Sequence, residues 1–198
     1  MRLPPSGLSL GIGTSLLGVA LDREQTNLPE STLLLQGLSS SLVNLLVFGP
    51  VLHSFAMQWT RPRRTWRKIW DAFAIVTVHS GLYAMIHRCM HRVSALQSIH
   101  KDHHRFRQCV TPSAANAVSA QEFLLAYMLP FVAAVHWLKP DPLALNAAVA
   151  VVSTFNLLVH SPHLKDARWP SLLVHPKDHL SHHSHRTPHY AAPTWAWM

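Results

Sequence analysis

Acid is scarce in this chain. Nine Asp and Glu stand against 17 Lys and Arg, and charged residues of both signs fill only 13% of 198 positions. A soluble domain usually carries about a quarter. That shortage, with seven Trp and several long apolar runs, points to a membrane protein. The formal charge of +8 reads as attraction to anionic lipid headgroups and not to nucleic acid, because the basic residues flank apolar runs. Cysteine is equally sparse. Cys89 and Cys109 form no CxxC pair and read as free thiols of a reducing compartment. The length suits one domain.

What the chain has in excess is histidine, 16 residues, and its placement is ordered. His87-Arg88-Cys89-Met90-His91 puts two imidazoles four apart, on one helix face. His100-Lys101-Asp102-His103-His104 and His179-Leu180-Ser181-His182-His183 repeat an i, i+3, i+4 patch. At this histidine frequency an HxxHH triplet is expected about 0.1 times by chance, so two triplets and a pair argue for a metal site. Neutral imidazole is the commonest ligand for transition metals, and such patches can hold more than one ion.

Taken in order, Gly7 to Leu21 is a weak apolar run, signal-like or interfacial and short for a span. Asp22 to Ser31 is a polar linker, so residues 1–31 form an N-terminal segment and 32–198 the main domain. Thr32 to Trp59 reads as a membrane helix kinked at Gly49-Pro50, with His53 as a packing residue. Thr60 to Lys68 is a basic loop for headgroups. Ile69 to Ile86 can span and delivers the chain into His87, while His79 is expected to be a hydrogen-bonded membrane histidine. The nine steps from His91 to His100 turn an ideal helix by about 180°, so the chain must bend or restart around Val93 to Ser98 if both clusters serve one site. Glu122 to Leu138 and Leu143 to Val159 are joined by Lys139-Pro140-Asp141-Pro142. This predicts a helical hairpin that returns His160 to the side of His104, with a kink at Pro130 and His136 near the tip. Pro162 should end the second arm near His160 and leave His163 on the exit turn. Pro176 and Asp178 open a short helix carrying the last triplet. The basic loop and the basic cluster side give contradictory signs for orientation, and reducing conditions favour cytosolic clusters.

HRxxH at 87–91, HKxHH at 100–104 and HxxHH at 179–183 resemble the three histidine boxes of the fatty acid hydroxylase and sterol desaturase superfamily, over residues 40–198. His160 and His163 fall where that family has a further histidine pair, and His189-Tyr190-Ala191 resembles its Asn-Tyr-Gly. The resemblance implies an all-α integral membrane bundle with a His-rich cytosolic metal-binding cap, in the endoplasmic reticulum. It further implies a non-haem diiron enzyme of sterol or fatty acyl biosynthesis that hydroxylates or desaturates a lipid with O2. Cytochrome b5 or a similar donor would supply its electrons, and zinc could substitute for the two irons. The ligand set implied is His87, His91, His100, His103, His104, His160, His163, His179, His182 and His183, with His175, His185 and His189 around it. Three departures from the pattern stand out: the shorter His160-x-x-His163, the altered Asn-Tyr-Gly, and a chain that stops where relatives continue, as an incomplete C-terminus would. The competing reading is a non-catalytic or metal-transporting His-rich membrane protein, which should place ionisable residues at mid-span.

Overall fold

The computed structural model describes residues 6–25, 28–106, 110–185 and 194–196. Its described elements are helical apart from one antiparallel bridge, Leu173 to Trp195. Among the described residues four helices are long and apolar enough to cross a membrane: α2 (Ser31–Met57), α3 (Thr65–Arg92), α5 (Ala120–Leu138) and α6 (Pro142–Val159). α1 (Gly7–Asp22), α4 (Ser94–His100) and α7 (Pro176–His185) are shorter.

α3 contains no proline, and 28 residues at 1.5 Å give about 42 Å, so this helix traverses the bundle and does not merely dip into it. The basic loop before it and the histidines at its end therefore lie at opposite ends. In α2 and α5 a proline shapes the path. Pro50 and Pro130 have no N–H to return to the preceding turn, and each helix widens just ahead of its proline. Gly49 N–H reaches back five residues to Asn44 O, and Leu129 N–H five residues to Leu124 O. The expected kinks thus take the form of π-type turns over Asn44–Phe48 and Phe123–Met128.

The predicted hairpin forms. Lys139 adopts φ 48°, a left-handed end to α5, and Asp141 Oδ1 caps α6 by accepting from Leu143 N–H. Its tip meets the basic loop at the distal end. Arg61 N–H donates to Pro140 O (2.8 Å), Arg63 N–H to Asp141 Oδ2 (2.8 Å) and Asp141 N–H to Asp71 Oδ2 (2.9 Å). His136 is exposed there, edge-on to Trp59. Trp66, Ile69, Trp70 and Trp137 also stand outward at this end, as an aromatic belt at a lipid–water boundary would. Above them Ile75, Val76, Phe131, Val135, Leu145 and Val152 form the distal core. Tyr83, Met90, Phe123 and Tyr127 form a second core under the histidines.

α1, the weak apolar run expected to be signal-like or interfacial, packs closely along α2. Its buried Gly7 and Gly11 lie so close to α2 that an added Cβ would stand 2.8 Å from Pro50 Cα and 2.1 Å from Leu45 O respectively. Asp22 Oδ1 then accepts from Ser113 N–H (3.0 Å) and fixes the other end. Close backbone approach across small residues is the usual means of seating a helix among spans.

Candidate metal centre

Each histidine reaches the proximal end by a local cause. His87 and His91 lie one turn apart on α3. Val93 then leaves helical geometry (φ −98°, ψ 117°), and α4 starts afresh, so that His100 faces back toward them. This is the break demanded by the 180° argument. A 3₁₀ turn, His103–Arg105, presents His103 and His104 in different directions. α6 ends at Val159 and offers His160, and α7 carries His179, His182 and His183 on its buried side.

The nitrogens converge in two groups, each with its ligand atoms within 4.8 Å of one another: His87, His91, His100, His104 and His182; and His103, His160, His179 and His183. The triplets divide between them. Positions i and i+4 of each triplet serve one group, and position i+3 crosses to the other. The 100–104 triplet therefore sends His103 across, and the 179–183 triplet sends His182. Two groups exchanging one side chain in this way must be adjacent.

Hydrogen bonding does not explain the spacing. His91 Nε2 stands 3.1, 3.1, 3.0 and 3.3 Å from Nε2 of His87, His182, His100 and His104. One ring nitrogen has either a proton or a lone pair, and neither can be shared four ways. Nitrogens each about 2.1 Å from a common ion would lie about 3.0–3.4 Å apart, which is the spacing found. In the second group His160 Nε2 is 3.0 Å from His179 Nε2 and 3.3 Å from His183 Nε2. His103 Nε2, also buried, has no hydrogen-bond partner among the described residues.

Protonation favours the same role. Burial, followed by the neighbouring imidazoles, pushes His103, His179 and His183 well below the usual histidine range. Burial is also the main cause that brings His104 down to about 2 and His160 to about 4. Neutral imidazoles are the form that binds metal. Two of them have their outer nitrogen fixed: His100 Nδ1 donates to Glu122 Oε1 (2.7 Å), and His160 Nδ1 to Asn156 O (2.6 Å). Each bond holds the tautomer whose Nε2 lone pair points into its group.

Of the expected set, His163 is not brought in. The turn Pro162–Leu164 leads away from α6, and His163 lies exposed with Nδ1 3.2 Å from Gln25 Nε2. His175 accepts from Lys177 N–H at the start of α7, and His185 is exposed. His189, Tyr190, Ala191, Trp197 and Cys109 lie outside the described residues. His53 and His79 are in the spans, bonded to Asn146 Oδ1 and Tyr127 O. Glu122 went unnoticed in the sequence except as the start of an apolar run. It is 1% exposed, and a carboxylate heading a membrane span is the signal that could have found it.

Comparison with known proteins gives one positive result: residues 72–198 match the fatty acid hydroxylase family model. No curated protein and no solved structure matches significantly. The matched stretch takes in every histidine of both groups and more than half of the chain, so the chain belongs to the fatty acid hydroxylase family.

Proposed function

We propose that this protein is a membrane-bound non-haem diiron oxidoreductase that hydroxylates or desaturates a lipid, either a sterol or a fatty acyl chain, with O2. The observation that carries the reading is the convergence of nine imidazole nitrogens, eight of them on buried side chains and His91 half-buried, at one end of an apolar four-helix bundle. The group of five and the group of four would each hold one iron. When bound, the irons supply oxidation of an unactivated C–H bond by O2.

The chain's own residues have three tasks. Burial holds His103, His104, His160, His179 and His183 below the usual histidine range, so these imidazoles are ready for cations without losing protons first. Glu122 and the Asn156 carbonyl orient His100 and His160 from behind. Tyr83, Phe123 and Tyr127 pack beneath the groups and keep bulk water from the bundle side, where a lipid would approach. Gathering nine histidines at helix ends, instead of along the spans, supports an enzyme over a metal transporter. We place this end in the cytosol of an endoplasmic reticulum protein, where cytochrome b5 or a similar donor would reach it.

The test is metal analysis of the purified chain followed by O2 uptake with candidate lipids. Two irons per chain and lipid-dependent uptake with an oxidised product are expected. Stable zinc in both groups with no oxidation after iron loading would overturn the reading.

A further inference from the structure

A groove of about 590 Å3 opens at the proximal end, between the first turns of α2 and the His103–Arg105 turn. Its floor is apolar, where Phe106 and Ala117 pack with Leu33. Its walls are polar. Gln36, Ser39 and Ser40, at i, i+3 and i+4 on α2, stand exposed on one side, and Asp102 and Arg105 line the other. Residues three apart eclipse in a 3₁₀ turn, about 6 Å apart along its axis, so Asp102 and Arg105 share one face. His103 and His104 between them are buried in the metal centre.

The two charges in this groove are of opposite sign and unanswered. Among the described residues neither the Asp102 nor the Arg105 side chain has an ion pair or hydrogen bond, and they do not pair with each other. An occupant of one sign would meet one attraction and one repulsion, whereas an occupant carrying both signs meets two partners. Depth adds a second constraint. α2 has 27 residues, about 40 Å, against a hydrocarbon core of about 30 Å. The aromatic belt marks the lipid–water boundary at its distal end, so the surplus of about 10 Å, or about seven residues, falls at the proximal end. Gln36 and its neighbours therefore stand among headgroups. Leu42 and Val43, one turn further in from Ser39, are exposed where acyl chains begin.

We propose that this groove binds the headgroup of a zwitterionic aminophospholipid, its phosphate on Arg105 and its primary ammonium on Asp102. A guanidinium matches phosphate geometry with two parallel donors. A primary ammonium has three donors, and the Asp102 carboxylate, the Gln36 carbonyl and the Ser39 and Ser40 hydroxyls supply acceptors. A quaternary ammonium would need aromatic faces instead, and Phe106 is the one aromatic residue on the groove among the described residues. Binding here does not depend on the chemistry read for the metal centre.

Binding of radiolabelled dioleoyl phosphatidylethanolamine, phosphatidylcholine and phosphatidylglycerol to the full chain in detergent micelles tests it without turnover. Phosphatidylethanolamine should bind roughly tenfold tighter than the other two, the worth of one charge-assisted hydrogen bond. Asp102→Asn should erase its advantage over phosphatidylglycerol, and Arg105→Gln should weaken all three lipids. Ser39→Trp, at an exposed helix position away from the histidines, should block all three and leave metal content unchanged. Soluble phosphoethanolamine, which lacks acyl chains, should displace the bound lipid only at far higher concentration than the lipid itself. Equal affinity for the three lipids, tighter binding of phosphatidylglycerol, a preference untouched by Asp102→Asn and Arg105→Gln, binding that survives Ser39→Trp, or displacement by phosphoethanolamine as readily as by lipid would overturn the proposal. Failure here leaves metal-dependent lipid oxidation standing, since that is read by metal content and O2 uptake.

Discussion

The two ends of the bundle are held together by opposite means. At the distal end the chain's own groups answer one another around Asp141. Asp141 takes N–H groups from Arg63 and Leu143 and lies 3.8 Å from Lys68 Nζ, while Arg63 Nη2 reaches Lys139 O (3.0 Å). At the proximal end, nine imidazoles present nitrogens to one another that no proton arrangement can satisfy. One end is tied by groups the chain itself supplies. The other is a set of donors assembled for something the chain does not supply.

The sharpest way to break this contrast is to take the metal away. Chelation should raise amide exchange throughout α4, α7 and the His103–Arg105 turn and leave the distal loops protected. Uniform change at both ends would mean that the histidine groups are an ordinary core. His104→Ala and His183→Ala should each remove metal and activity together, whereas His163→Ala, His53→Ala and His136→Ala should retain near wild-type metal content. A loss in His163→Ala matching that of His104→Ala would show that the exposed turn at Pro162 folds inward when metal binds.

Glu122→Ala should weaken metal affinity about 10- to 100-fold, the usual cost of losing a group that orients a metal-bound histidine. Glu122→Gln, which keeps an acceptor for His100, should lose less. Equal losses would assign Glu122 a packing role.

Acid should act on the proximal end of the metal-free protein. His160 and His104 have folded-state values near 4 and 2, below the ordinary histidine value of 6.5. An unfolded chain therefore takes up protons first as the pH falls. Stability is full above 6.5 and declines through the window down to about 4 for His160, and further toward 2 for His104. Denaturant midpoints of metal-free protein at pH 7.5 and 5 should show the decline, and metal-loaded protein should resist it. The smallest effect belongs to the distal end. Asp141→Ala removes a helix cap worth about 0.5–2 kcal/mol and should lower the melting temperature without altering metal content.

Much of this was legible in the residues, and the reason differs from feature to feature. The hairpin and the restart at Val93 follow from Pro140, Pro142 and the helical period, which are local facts. The sorting of His103 and His182 into the opposite groups is not local, because spacing fixes which residues share a face and not what each face meets. His163 is a different case: the resemblance implied it as a ligand, while Pro162 and the shortened spacing, both local, already pointed to the exit turn where it lies. The packing of α1 was hidden because glycine gives no hydropathy signal, and its effect here is the closeness it allows to Pro50 and Leu45. Glu122 was hidden because a lone acid before an apolar run looks like a helix start.

The paired π-type turns of α2 and α5 also bear on how such a sequence can change length. A turn that spans five residues where four would do stores one surplus residue. Losing one residue within 44–48 or 123–128 would let the helix close to its ordinary pitch while both flanks keep their faces. Elsewhere in the same spans a single deletion would rotate everything beyond it by about 100° and carry Glu122 away from His100 or Phe131 away from the core. Length variants of this chain should therefore tolerate single-residue deletions at these two turns and be damaged by them between the turns and the helix ends.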